Sequence, residues 1–191
     1  RIALVGCGPA SLTVANDLAP LGYSLTIFEK YDKPGGLMRS NIPSFRLPEA
    51  VLMDEINYIL NMGVEVRYSS PVESLKKLLA ENYDAIFVGS GAPRGKDLDL
   101  PGRRDPAAAE HIHIGIDWLG SVAFGHTDKI GERVLIIGVG NTAMDCCRTS
   151  LRLGGKDIKV IARRPRAFFK ASPWELEDAE EEGVEIIINY S

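Results

Sequence analysis

The sequence predicts an α/β protein built from two parallel-sheet units, and three features lead to that expectation. Apolar strand-like runs alternate with amphipathic helical stretches, a strand–glycine–helix unit occurs twice, and the strands are apolar without alternation, as in sheets covered on both faces. In order, Ile2–Gly6 reads as a strand, Pro9–Leu21 as a helix and Ser24–Glu29 as a strand. Gly and Pro at Pro34-Gly35-Gly36 and between Pro43 and Pro48 mark a long loop. Glu49–Asn61 carries Val51, Leu52, Ile56, Ile59 and Leu60 at helical spacing, with Gly63 placed to end the helix. Val64–Tyr68 alternates as a short strand, Ser74–Ala80 is helical, and Ala85–Val88 is a strand running into Gly89-Ser90-Gly91. Pro101 to Glu110 reads as a linker and Ile114–Phe124 as a helix. The second unit follows: strand Arg133–Gly138, helix Thr142–Leu153, strand Lys159–Ala162, a basic loop, helix Pro173–Glu182 and strand Val184–Ile188, with the strand-like stretch reaching to Ser191.

The 191 residues suffice for one ordinary domain or two small ones, and 45% hydrophobic with 25% charged residues is a globular mixture. A net charge of −4 argues against a general nucleic-acid binder, and no apolar run is long enough to span a membrane. No signal-peptide pattern is visible, and Cys7, Cys146 and Cys147 form neither a disulfide framework nor a metal spacing, so a reducing cytoplasmic setting is expected. The chain opens and closes on core strands, which reads as a segment of a longer polypeptide.

Gly6-Cys7-Gly8-Pro9-Ala10-Ser11 follows a strand and opens a helix. Gly6 serves the tight turn, Gly8 lets backbone approach a pyrophosphate, and the third position packs helix on strand. The helix N-terminus offers free N–H groups and partial positive charge to phosphates. Ser11 stands where Gly or Ala is usual and adds bulk. Glu29 ends the second strand 21 positions after Gly8, where a carboxylate accepts hydrogen bonds from a ribose diol; a solvated strand-end acid is the other account. Gly35-Gly36, the proline-fixed segment Ile42–Leu47 and the small-residue turn after Ala85–Val88 point to FAD here.

Arg133-Val134-Leu135-Ile136-Ile137-Gly138-Val139-Gly140-Asn141-Thr142-Ala143 repeats the device, with Ala143 in the close-packing position. An NAD site normally carries an acid after its second strand; this sequence has Arg163-Arg164, Arg166 and Lys170. Guanidinium groups pair with a 2′-phosphate, so NADP(H) is expected over NAD(H); a solvated basic loop or a surface for an acidic partner is the alternative. The pattern amounts to two Rossmann-like dinucleotide-binding units.

These motifs resemble the glutamate synthase small (beta) subunit family, FAD- and NAD(P)H-dependent oxidoreductases whose flavin module is shared with dihydropyrimidine dehydrogenase. The resemblance implies that Gly6, Gly8, Pro9, Ala10, Ser11, Glu29, Lys30, Gly36, Leu37, Arg39, Ile42, Pro43, Ser90, Gly91 and Ala92 surround FAD, with Val72 clasping the adenine through its backbone. It places a nicotinamide dinucleotide on Gly138, Gly140, Asn141, Thr142 and Ala143, with Arg163, Arg164 and Lys170 reading its 2′-phosphate. The implied organisation is an incomplete FAD-binding part over residues 1–104, a linker with a connecting helix over 105–131, and an incomplete NAD(P)H-binding part over 132–191, the nicotinamide unit being inserted in the FAD domain. Electrons would pass from NAD(P)H through FAD to iron–sulfur centres or a partner subunit of a redox complex. A non-catalytic scaffold subunit on the same fold is the competing reading.

Hydride transfer between such cofactors needs no acid or base, so no catalytic side chain is assigned, and Lys30, Arg39 and Arg46 could equally supply charge to the ligand or bridge on the surface. Cys146 and Cys147 are adjacent on a helix, about 100° apart, which suits packing and not dithiol exchange. His111 and His113 lack a third ligand nearby, so no metal is expected. Glu175–Glu182 reads as a solvated acidic face, and Trp174 either packs or faces a ligand.

Overall fold

The computed structural model describes residues 1–188. It divides into two compact units, Arg1–Pro93 and the chain from Arg94 onward. Strand β1 (Ile2–Val5) leads into helix α1 (Pro9–Leu18) and a 3₁₀ turn over Ala19–Leu21; β2 (Leu25–Phe28), α2 (Leu37–Ser40), α3 (Glu49–Leu60), β3 (Glu65–Arg67), α4 (Leu75–Leu79) and β4 (Ala85–Val88) complete the first unit. Then come α5 (Pro106–Ala109), α6 (Gly115–Ala123), β5 (Arg133–Ile137), α7 (Asn141–Arg152), β6 (Asp157–Ala162), a 3₁₀ turn over Arg166–Phe168, α8 (Pro173–Glu181) and β7 (Glu185–Ile188).

The first sheet runs β3-β2-β1-β4, with every pair parallel. Its register sets Val5 opposite both Phe28 and Val88, so the chain leaves three neighbouring strands at one edge, as Gly6, Glu29 and Gly89. The second sheet runs β5-β6-β7, also parallel, with Ile137 opposite Ile161. Successive strand residues face opposite sides, and both sides of the first sheet are covered. Leu4 and Ile27 pack with Leu12, Ala15, Leu52 and Ile56 from α1 and α3. Ala3 and Phe28 pack with Leu78 and Tyr83 on the other side, where the Phe28 and Tyr83 rings meet edge to face at 5.9 Å. In the second unit Met144 and Cys147 of α7 and Leu176 and Ala179 of α8 close over Ile158 and Val160. Trp118 and Leu119 of α6 pack against Cys146. Leu135 and Ile137, by contrast, are more than half exposed.

Two short helices lie in segments expected to be irregular. Asp105–Pro106 starts one of them: the Asp105 carboxylate caps Ala107 N–H at 3.0 Å and Pro106 occupies the first helical position. Leu37–Ser40 makes one turn inside the expected loop. Trp174 does not pack, being 63% exposed at the start of α8. The end of the strand-like stretch expected to reach Ser191, residues 189–191, lies outside the described residues.

α7 and α8 are joined by buried charge. Arg148, 8% exposed, reaches Glu175 at 3.2 Å, Asp178 at 2.9 Å and Glu182 at 3.0 Å, and Arg152 also binds Glu182 at 2.7 Å. Hydrogen bonds from Arg152 and then Arg148 hold the Glu182 carboxyl down to about 2 from its usual 4.5. Because the folded value is depressed, this contribution is complete above the usual carboxylate range and fades as pH falls from 4.5 toward 2. Denaturant midpoints measured through that window should decline, and Glu182→Gln should be less stable at neutral pH by on the order of 2 kcal/mol with a flatter acid limb.

Candidate functional site

The first candidate site is the carboxyl edge of the β3-β2-β1-β4 sheet, where β1 and its two neighbours end together and the strand connections diverge. Gly6 turns the chain with φ of +91°, and a Cβ there would lie 2.8 Å from Gly89 O. Gly8 is the N-cap of α1; no side chain caps this helix, its first turn holds no acid, and Pro9 fills its first position. The loop after β2 crosses this turn closely. Gly35 N–H donates to Cys7 O at 2.8 Å, and a Cβ on Gly36 would come within 2.8 Å of Gly8 Cα. Ser11 is fully buried below, its hydroxyl without a hydrogen-bond partner and so close to Gly89 that a Cβ there would sit 2.3 Å from it.

Glu29, 4% exposed, does more than end a strand. One carboxylate oxygen accepts Cys7 N–H at 2.7 Å and the other Tyr31 N–H at 2.9 Å, tying the glycine turn to the end of β2. Each oxygen keeps a further acceptor position. Arg39 is likewise internal: its side chain donates to Pro34 O at 2.6 Å and to Glu49 at 2.6 Å, which fixes the Gly35-Gly36 crossing to α3. Its charge is therefore held by the protein, and Glu49 is pulled below the usual carboxylate range by that bond. Lys30 is exposed with its amine 4.5 Å from the Tyr31 ring centroid. Leu37, Ile42 and Pro43 are partly exposed, the last accepting Arg46 and Leu47 amides in a turn. Ser90, Gly91 and Ala92 are exposed beyond β4, and Val72 packs on the opposite-face cluster of Ala3, Phe28, Leu78 and Tyr83.

The second candidate site is the elbow between β5 and α7. Gly138 has φ of +121° and donates to Ile161 O at 3.0 Å; Gly140 is the N-cap of α7, again with no side-chain cap and no acid in the first turn. A Cβ on either glycine would meet nothing within 4 Å. Ala143 is buried against the core, while Asn141 and Thr142 are exposed. Asn141 Oδ1 accepts Ser172 N–H at 2.8 Å. Past β6, Arg163, Arg164 and Lys170 are exposed, Arg164 lying 5.9 Å from the Phe168 ring centroid. Arg166, grouped with these cations by sequence, is instead paired with Glu180 through both ends of its guanidinium, one contact at 2.7 Å.

A cleft of about 550 Å³ lies elsewhere on α6, lined by His113, Asp117, Trp118, Ser121, Thr127 and Lys129 among others, and includes no residue of either glycine turn. Among the described residues no group of three or more His, Cys, Asp or Glu is placed to hold a metal ion. The three thiols are buried and free. Burial pushes each up to about 12, with Glu29 adding to the effect at Cys7 and Asp145 at Cys146, which leaves them protonated and unreactive at neutral pH.

The sequence profile of the pyridine nucleotide-disulphide oxidoreductase family matches residues 1–191. The chain belongs to that family. It is 36% identical over 189 residues to the NADPH-Fe(3+) oxidoreductase subunit beta of Geobacter sulfurreducens, covering 96% of this chain and 28% of that protein. It is 37% identical to the Salmonella typhimurium NAD-dependent dihydropyrimidine dehydrogenase subunit PreT, covering all of this chain and 46% of the relative. The Azospirillum brasilense glutamate synthase [NADPH] small chain is 31% identical over 97% of this chain and 41% of its own. The chain thus spans less than half the length of each of these relatives. Among solved structures, Mycobacterium tuberculosis FprA in complex with NADPH shares the fold, with a TM-score of 0.78 at 22% identity over 95% of this chain and 47% of that one.

The double bond of Glu29 makes glutamine a poor substitute, because one amide group cannot accept from both backbone donors. Glu29→Gln should leave a buried N–H facing an N–H and lower stability by about 1–3 kcal/mol in urea unfolding, whether or not any nucleotide is present.

Proposed function

We propose that the protein binds FAD on the β1–α1 elbow and a nicotinamide dinucleotide, NADP(H) in preference to NAD(H), on the β5–α7 elbow, and that it moves reducing equivalents between them. The observation that carries this reading is a pair of glycines the chain does not need for itself. Gly8 and Gly140 have ordinary φ of −91° and −103°. A Cβ on Gly8 would make only an ordinary contact, 3.8 Å from Gly36 Cα, and one on Gly140 would meet nothing. Both are helix N-caps, where Ser, Thr, Asp or Asn would bond the exposed amides. The chain forgoes that bond twice, and uncapped N–H groups remain at a positive helix end, with space for a Cβ at Gly8 and open surroundings at Gly140, the recognition chemistry of a diphosphate.

Under this reading the FAD-binding part spans residues 1–104, the connecting segment 105–131 and the NAD(P)H-binding part 132–191. Glu29 keeps acceptor positions for a ribose diol beyond the two amides it already holds. Gly36, held by the Arg39 strut, presents backbone beside Gly8. The cations Arg163, Arg164 and Lys170 favour a ligand carrying an extra phosphate, in keeping with the NADPH named for two of the relatives. When bound, the two cofactors supply the hydride chemistry, and the protein supplies placement. Three relatives are named as subunits or a small chain, which supports delivery of electrons to a partner subunit or to iron–sulfur centres.

The test is made on the full-length protein. It should purify yellow, release FAD on denaturation, and lose its flavin absorbance anaerobically on addition of NADPH. A colourless preparation that neither takes up FAD nor binds NADPH would leave the non-catalytic scaffold as the answer. Gly8→Ala should depress FAD affinity, and Gly140→Ala NADPH affinity, each by more than about tenfold, while destabilising the fold by about 1 kcal/mol or less.

A further inference from the structure

The basic loop between β6 and α8 is fastened to the second glycine turn. Val139 O, inside the turn, accepts Lys170 N–H at 3.1 Å and Ala171 N–H at 3.0 Å, and Asn141 Oδ1 accepts Ser172 N–H at 2.8 Å. The far side of the loop is held by Arg166 on Glu180 of α8. Ser172 is the N-cap of α8, yet its hydroxyl makes no capping bond, and Pro173 has no N–H to give. The carboxamide of Asn141 thus grips the chain where the loop enters α8.

We propose that Asn141 is a positioning residue for the choice between NADP(H) and NAD(H), and that it acts through Ser172 and not by touching the 2′-phosphate. The inference rests on the reading of Arg163, Arg164 and Lys170 as cations for that phosphate. In one dinucleotide the pyrophosphate and the 2′-phosphate lie at a distance set by the ribose, so a protein reading both must fix the separation between its glycine turn and its basic loop. Asn141 belongs to the turn and bonds the residue two beyond Lys170. A ligand without the 2′-phosphate does not sense where the loop lies. The bond is solvent-exposed, so its effect is modest.

The experiment compares NADPH and NADH dissociation constants for the full-length protein and for Asn141→Ala, Ser172→Pro and the double variant. Proline suits Ser172, whose φ is −61° and ψ 142°, and removes the N–H from the other side of the same bond. Asn141→Ala and Ser172→Pro should each shrink the NADPH-over-NADH preference by about three- to tenfold. The double variant should shrink it no further. Equal weakening of both ligands, or additive losses in the double variant, would overturn the proposal. A wild-type protein that binds NADH as tightly as NADPH removes the 2′-phosphate reading and this proposal with it. Preference lost in Arg163→Ala and Arg164→Ala but kept in Asn141→Ala would sink the proposal alone.

Discussion

Parallel pairing in register is the constraint from which the rest of the molecule follows. With Val5 opposite both Phe28 and Val88, three strands must release their chains at one edge, and each must turn away without colliding with the next. The collision is real: Gly6 meets Gly89 O, Gly36 meets Gly8 Cα, and Gly89 meets the Ser11 hydroxyl, each of these glycines with no room for a Cβ. Small residues at that edge are thus demanded by packing before any ligand is considered. The helices on both faces bury the apolar strands and make this pairing the stable one.

The two elbows solve similar problems under different crowding. At the first, another loop of the chain lies across the turn and is pinned by Gly35 N–H on Cys7 O and by Arg39. At the second, both glycines face open space, and the neighbouring segment is tied back by Val139 and Asn141. In each unit, helix amides are left uncapped at the strand edge. The ionic cluster around Arg148 and Glu182 belongs to the packing of α7 on α8, well inside the second unit, and is not drawn into the elbow.

The alternation of strands and helices, both glycine turns and the basic loop were legible in the sequence, because each rests on local periodicity or on a residue type with a fixed backbone role. What escaped was the fate of polar side chains over long separations. The resemblance groups Arg39 with flavin residues, and the sequence carries no sign that Glu49, ten positions on, and Pro34 hold its guanidinium. Arg166 reads as one more loop cation, and only the folded chain brings Glu180 of α8 to it. Asn141 and Ser172 stand 31 residues apart and meet only once both elements are folded. The Asp105-Pro106 pair did carry a readable helix start, which the surrounding loop composition masked.

The interior of the first unit does not rely on a guest to hold the Glu29 carboxylate. A buried carboxylate whose only partner is a sugar hydroxyl becomes an uncompensated charge when the sugar leaves. Two backbone amides already hold Glu29, so under the proposed reading the departure of a ribose diol would leave its carboxylate hydrogen-bonded. On that reading the glycine turn and the end of β2 are held together by the chain's own hydrogen bonds, with or without a guest.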